Sequence, residues 1–404
     1  MSTLIPRPLE DLVERVTTDP DLPLRQKRFS SALRDPRVAA WLGASLAVLF
    51  TICFVTGLFS HIQQHPVSWL PVPARPAGLY RVTQGVHVAA GIASVPVLLA
   101  KLWTIWPRVL TFPPFRRVSD VVERVEVLAL IGGGVFQVFS GVANIAQWYP
   151  WRFSFTVTHF WVAWVAEGAI VAHLGSKWFV TRRSLRRRPR RPALSEIDPA
   201  LGASAEGSHA GLSRRGFLGT VAAASGVLTF VTVGQTWPLL RRFAVLAPRK
   251  PAAQPINRSA RNAGVITAAT AASYQLAVSG RVARPFTLSL AELRALPTES
   301  AELPIACVEG WSYSARWSGV RLRDLLARAG APGDAAVRVH SLEAHSIYSV
   351  SFVNHIQAHD PDTLLATHLD GRLLSLDHGY PLRLIGPDRP GVNQTKWVTR
   401  VEVV

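Results

Sequence analysis

Two patterns of apolar residues divide the chain. Up to about residue 240 they come in long unbroken runs, and from about residue 265 they alternate with polar residues over short stretches. A helix needs about 20 predominantly apolar residues to cross a bilayer. Five runs reach that length: near 38–60 (VAAWLGASLAVLFTICFVTGLF), 83–106 (GVHVAAGIASVPVLLAKLW), 125–147 (VEVLALIGGGVFQVFSGVANIAQW), 153–180 (FSFTVTHFWVAWVAEGAIVAHLGSKWFV) and 216–238 (GFLGTVAAASGVLTFVTVGQTWP). The first four predict a membrane α-helical bundle over 38–180, and the fifth an anchor helix within 213–240. The small residues of IGGGVFQVFSG have the spacing of close helix packing.

The later part alternates at the period of strands. SYQLAVSG, FTLSL, ELPIACVEG, AVRVHSL, YSVSFV, LLATHL, PLRLIG and KWVTRVEVV are the candidates. Ser289 and Glu292 form a capping box that starts a short helix, LAELRAL. VRLRDLLARAG reads as an amphipathic helix closed by Gly330, and Asp370-Gly371 as a hairpin turn. Residues 250–404 are enough for one α+β domain.

Charge changes the picture only through its placement. The chain has 404 residues, 17% of them charged, and a formal net charge of +18. Such an excess alone is compatible with a nucleic-acid partner. Its arginines instead flank the apolar runs: Arg34 and Arg37 before the first, Arg108, Arg116 and Arg117 after the second, and TRRSLRRRPRR (181–191) after the fourth. Cytoplasmic flanks collect Lys and Arg, so no nucleic acid is needed. The N-terminal segment 1–37 and the basic, then flexible, linker 181–212 are expected in the cytoplasm. Arg75, Arg81, Arg241 and Arg242 fall on the expected outer side and run against this rule. SRRGFLG (213–219) resembles a twin-arginine export signal, with Gly219 in place of the usual Lys. The other reading is one more cytoplasmic flank. With an anchor helix after it, the C-terminal domain lies on the extracytoplasmic side of the cytoplasmic membrane.

Of the two cysteines, Cys53 lies in the first apolar run and Cys307 far along the polar part, so a disulfide between them is not expected. Cys307 ends a candidate strand and enters a loop read as holding Gly310 and Gly319. It is either a buried free thiol or a ligand for a soft metal. No Cys-x-x-Cys accompanies it, so zinc and iron–sulfur sites are not expected. Histidines within membrane helices are usually functional, and imidazole is an axial ligand of haem iron. His87 and His159 lie at similar depth in the second and fourth runs. His173 follows His159 by 14 residues, which is about 21 Å and about 40° off the same helix face. The equivalent position on the second run is Lys101, expected to pair with Glu167 or to reach the cytoplasmic surface. One haem b is therefore expected, or two. His61, at the outer end of the first run, is a further ligand candidate, a neighbour of a quinone site, or a solvated surface residue.

Several ordered motifs carry a resemblance: ACVEGWS with W-x-G-V, then D-H-G-Y-P-L-R, then Q-T-K-W. Over about 255–404 the chain resembles the sulfite-oxidase superfamily of molybdopterin enzymes, nearest to the branch of the periplasmic methionine-sulfoxide reductase catalytic subunit. The resemblance implies a molybdenum–molybdopterin cofactor with Cys307 as the metal ligand. It further implies that Arg383 grips the pterin phosphate, and that Gln394, Thr395 and Lys396 bind the pterin's anionic end. His378 stands where that branch has Asn, Ser341 near a family Thr, and Asn257 at an upstream cofactor-binding Asn. Glu309 is a salt-bridge partner or a proton donor, Trp311 and Trp317 core or pocket wall, and Tyr380 a candidate for the substrate cavity. Residues 38–180 resemble a membrane b-type cytochrome of the respiratory kind. Together these imply a membrane-bound oxidoreductase exchanging an oxo group with a small substrate, a sulfoxide or other X=O compound or sulfite. Its electrons would run through haem b to or from a quinone pool. The alternative is a non-enzymatic membrane electron carrier or sensor with a cofactor-free external domain.

Overall fold

A computed structural model describes residues 31–67, 69–109, 118–186, 212–235, 238–247 and 253–404. Segment 1–30, Arg116, Arg117, the end of the basic run and nearly all of the linker lie outside the described residues. Five long helices form the first half: α1 (Pro36–Gln64), α2 (Leu79–Val109), α3 (Val118–Ile145), α4 (Phe155–Arg186) and α5 (Arg214–Thr232). All five are long and apolar enough to cross a membrane. Large apolar side chains such as Val48, Leu99, Val122, Trp161 and Val227 stand exposed on them, as a lipid-facing surface requires. The fifth helix stops at Thr232, short of the end of its apolar run, and Val233–Gln235 follow as a 3-10 turn.

The chain separates into two compact units. The first comprises Met1–Phe54 and Ala90–Thr229. In it, Asp35 just before α1 pairs with Arg214 at the start of α5 at 2.9 Å. Ser213 caps α5 by accepting from the Gly216 amide at 3.0 Å. Val38 and Leu42 of α1, Val97 of α2 and Val221 of α5 share one apolar cluster. Lys101 donates to the Ala39 carbonyl at 2.6 Å. The Glu167 carboxylate accepts from Thr51 at 2.8 Å. Gly133 of α3 lets α4 come close: a Cβ there would lie 3.2 Å from that of Ala166, which is the packing its small-residue run predicts.

The second unit comprises Val55–Ala89 and Phe230–Val404. After two short helices, α6 (Ala260–Ala263) and α7 (Ile266–Thr270), come β1 (Gln275–Gly280), β2 (Phe286–Ser289), α8 (Leu290–Ala295), β3 (Glu299–Ala306), β4 (Ser312–Arg321) and α9 (Leu322–Ala329). The rest is β5 (Val337–Ser341), β6 (Val350–Val353), α10 (His355–His359), β7 (Leu364–Leu369), β8 (Arg372–Leu373), β9 (Arg383–Ile385) and β10 (Val398–Val403). One sheet has the order β2-β1-β10-β5-β6; the other runs β3-β4-β7-β8 with β9 also paired to β7.

Ser289 and Glu292 make both bonds of the capping box. Asp370 and Gly371, with φ of 50° and 75°, join β7 to β8 through the expected two-residue turn. The stretch around Gly319 differs from its loop reading. Gly319 lies inside β4, opposite Ala366, where a Cβ would meet the Leu365 carbonyl at 2.1 Å. The glycine is there for close strand approach. Val320 and Arg321 also pair with β7, so the amphipathic helix begins only at Leu322.

Candidate active site

Strand β3 hands the chain to a tight turn at Cys307. The Cys307 amide donates to the Trp311 carbonyl at 2.9 Å, and the Gly310 amide returns to the Cys307 carbonyl at 3.0 Å. The thiol is 7% exposed, and neither cysteine is in a disulfide. Asn257 Nδ2 lies 2.9 Å from Cys307 Sγ and donates to it. Tyr348 is also close: burial, then the charges of Cys307, Glu309 and Glu343, push its phenol up to about 12. It stays protonated and can donate. Glu309 accepts from the Trp311 indole at 3.0 Å. Trp311 and Trp317 are buried in the core, and Tyr380 packs against the same cluster half-buried.

Arg383, on β9, is 5% exposed. Its guanidinium donates to the His378 carbonyl at 3.1 Å and lies 5.3 Å from the centroid of Trp317. Burial lowers it to about 9, so it is still cationic at neutral pH. Its Nε has no hydrogen-bond partner among the described residues. Lys396 donates to the carbonyls of Arg258 and Asp377. Burial first, and then the charge of Arg383, lower the ammonium to about 7. His378 holds Ser375 Oγ at 2.8 Å through Nδ1 and the Gln254 carbonyl at 3.1 Å through Nε2; burial lowers its basicity. Arg258 pairs with Glu343 at 2.8 Å.

The other expected residues stand behind this group. Ser341 Oγ donates to the Lys396 carbonyl at 2.8 Å. Thr395 Oγ1 meets Ser351 Oγ at 2.6 Å. Gln394 accepts from the Gly386 amide at 3.0 Å. The structure adds Arg258, Glu343 and Tyr348, which the motifs passed over, and gives a contact to Asp377, the first residue of D-H-G-Y-P-L-R, whose carbonyl accepts from Lys396. Arg258 adjoins Asn257, but Glu343 and Tyr348 carry no signal in spacing.

Three of the helix histidines have their Nδ1 held by an oxygen. His87 faces Thr56 Oγ1 at 3.2 Å, His159 faces Ser140 Oγ at 2.9 Å, and His173 pairs with Glu126 at 2.8 Å. Such a contact on one ring nitrogen orients the other toward a metal. Gly57 lies beside His87 and Gly141 beside His159. His61, in the last turn of α1, stacks on His65 with ring centroids 4.4 Å apart.

Residues 263–404 match the family model described as the oxidoreductase molybdopterin binding domain. A protein described as the protein-methionine-sulfoxide reductase subunit YedZ1 of Azospira oryzae is 34% identical over 128 residues, 32% of this chain and 48% of its own length. The sulfite oxidase of Gallus gallus is 33% identical over 172 residues, 35% of this chain and 37% of its own. The protein-methionine-sulfoxide reductase catalytic subunit MsrP of Campylobacter jejuni is 27% identical over 144 residues, 32% and 48% of the two chains. The chain thus spans about half or less of the length of these relatives. The domain that ends the chain belongs to the molybdopterin oxidoreductases of the sulfite-oxidase superfamily. Within that class it stands near the methionine-sulfoxide reductase branch.

The residues present fit that cofactor. Among the described residues no three His, Cys, Asp or Glu side chains converge on a metal position; the buried Cys307 thiol would suit a metal that brings its other ligands with it. Asn257 donates to the thiol, the carbonyl of its neighbour Arg258 accepts from Lys396, and the buried Arg383 has an Nε with no partner among the described residues, a cationic pair that suits a phosphate.

Proposed function

We propose that the protein is a membrane-bound molybdenum oxidoreductase that exchanges an oxo group with a small X=O substrate, a sulfoxide in the first place. Sulfite oxidation is the same exchange in the opposite direction. The observation that carries this is the buried Cys307 thiol, which accepts from Asn257, while the carbonyl of the next residue, Arg258, accepts from Lys396. When bound, molybdenum on a pterin dithiolene supplies two-electron oxo exchange, with Cys307 as its protein ligand. Arg383 and Lys396 hold the anionic end of the pterin, and His378 and Asn257 fix its orientation. Ser341, Gln394 and Thr395 brace the backbone from which Lys396 projects. Tyr348 presents a phenol that keeps its proton at neutral pH.

When bound in the helices, haem b would supply one-electron transfer to or from a quinone pool. His87 and His159 are its axial candidates by sequence depth, supported by the hydroxyl on each Nδ1 and the adjoining glycine. His173 is a candidate for a second haem, and its Nδ1 is turned to Glu126. His61 is the weaker choice, stacked on His65. The C-terminal domain lies on the extracytoplasmic side of the cytoplasmic membrane. The pairing of Asp35 with Arg214, which gathers Arg34, Arg37 and the twin arginines at one end of the helices, supports this sidedness.

Joint quantitation of molybdenum and haem in purified protein tests the reading; about one molybdenum per chain with haem is expected. Cys307→Ala is expected to abolish turnover, a loss beyond the roughly 10–100-fold seen when a metal's outer-shell partner is removed. A Cys307→Ala protein that still turns over with molybdenum bound ends the assignment.

A further inference from the structure

Helix α2 begins inside the catalytic unit. The first N–H groups of a helix need acceptors from outside it. For α2 one comes from Asp388, on the loop beyond β9: the Tyr80 amide donates to its carboxylate at 2.5 Å. The Asp388 amide donates back to the Ala77 carbonyl at 3.0 Å, and Gln63 of α1 donates to the second carboxylate oxygen at 3.1 Å. A residue some three hundred positions away thus caps a membrane helix.

Tyr80, Gln84 and His87 follow at i, i+4 and i+7, so they share one face of α2. Tyr80 is 1% exposed, donates to or accepts from Ser60 at 3.1 Å, and lies near enough to Cys307 for their charges to interact. Gln84 Nε2 donates to the Val308 carbonyl at 3.4 Å, and Val308 adjoins Cys307. His87 lies about 4.5 Å further along the axis.

We propose that Gln84 is the positioning residue for electron passage between a centre at Cys307 and a haem at His87, with Asp388 fixing the helix that carries it. The inference rests on the proposed function. Coupling falls off more slowly through bonds than across gaps. The route Cys307, Val308 carbonyl, Gln84 amide and one helical turn is bonded throughout except for one hydrogen bond. In the reducing direction a quinol becomes a quinone and gives two electrons and two protons. The electrons cross this face one at a time, and the substrate X=O leaves as X with water.

The test uses the full chain carrying both groups. Flash photoreduction with a deazaflavin places one electron on the haem, and its absorbance then relaxes as the electron redistributes. Gln84→Leu is expected to slow that relaxation about tenfold or more, the scale of losing an outer-shell contact. Molybdenum and haem content and the haem spectrum stay as in the wild type. Gln84→Met keeps length without a donor and serves if Gln84→Leu does not accumulate. An unchanged relaxation in either loaded variant overturns the inference and leaves the proposed function standing. Wild-type protein that lacks one of the two groups overturns both, and quantitation alone reveals it.

Discussion

In the helices, Ser140 answers His159, Glu126 answers His173, and the Ala39 carbonyl answers Lys101. At the start of β9, by contrast, the Arg383 Nε has no hydrogen-bond partner among the described residues, and burial and the Arg383 charge lower the basicity of Lys396. Both regions bury polar groups, which costs free energy unless they are hydrogen-bonded. For these three side chains the cost is settled locally by a neighbour's oxygen, although Gln63 Oε1 and Ser225 Oγ in the helices are buried without a hydrogen-bond partner among the described residues. The C-terminal domain leaves a surplus of positive charge that an anion can relieve. The difference separates a set of oriented imidazoles from a receptor built for a charged ligand.

The comparison breaks most visibly on the helical side. His159→Ala and His87→Ala are each expected to remove the reduced b-type absorbance band; an unchanged band in both leaves the imidazoles as packing. On the other side, Arg383→Met is expected to weaken cofactor retention about 10–100-fold, the worth of a charge-assisted hydrogen bond of about 1.5–3 kcal/mol. Molybdenum per chain after gel filtration measures it. A smaller effect sharpens the role of Lys396. Its amine is lowered to about 7 by burial and Arg383, so it is charged below that pH and neutral above. Affinity of cofactor-free protein for inorganic pyrophosphate, measured by calorimetry, is expected to fall as pH rises through about 7, and Lys396→Met is expected to flatten that dependence. The smallest effect concerns Asp388, which burial raises from 3.8 to about 6. The folded state then holds the proton more tightly than the unfolded state. Stability relative to Asp388→Asn is expected to rise as pH falls from 7 through 6 toward 4, read as the difference in Tm.

Arg75 and Arg81 show why part of the site escaped the sequence. As charges they contradict the positive-inside pattern, yet the structure occupies both. Arg75 forks onto Asp360 and also pairs with Asp362, and Arg81 donates to Ser314 at 2.9 Å. Strand β4 escaped for another reason. Ser312, Ser314, Arg316 and Ser318 do alternate with Tyr313, Ala315, Trp317 and Gly319 at period two, but glycine is depleted in strands, and Gly319 was read as a loop residue. Cys307, Arg383 and Lys396 were legible as candidates because their motifs are contiguous, and Asn257 only as an isolated upstream Asn. That Asn257 reaches the thiol, and that Gln394 and Thr395 turn toward the backbone and Ser351, was not.

The sequence by itself determined the five apolar runs, the capping box, the Asp370–Gly371 hairpin and the order of the cofactor motifs. Each depends on residues a few positions apart, where helix and strand periods act. Only the tertiary structure decided that Asp388 caps α2, that Arg75 meets Asp360, and that Gln84 touches the residue after Cys307. Those contacts join positions hundreds of residues apart, and no local periodicity encodes them. They form because a buried carboxylate, a helix N-terminus and an amide must each find a partner wherever folding brings one within reach.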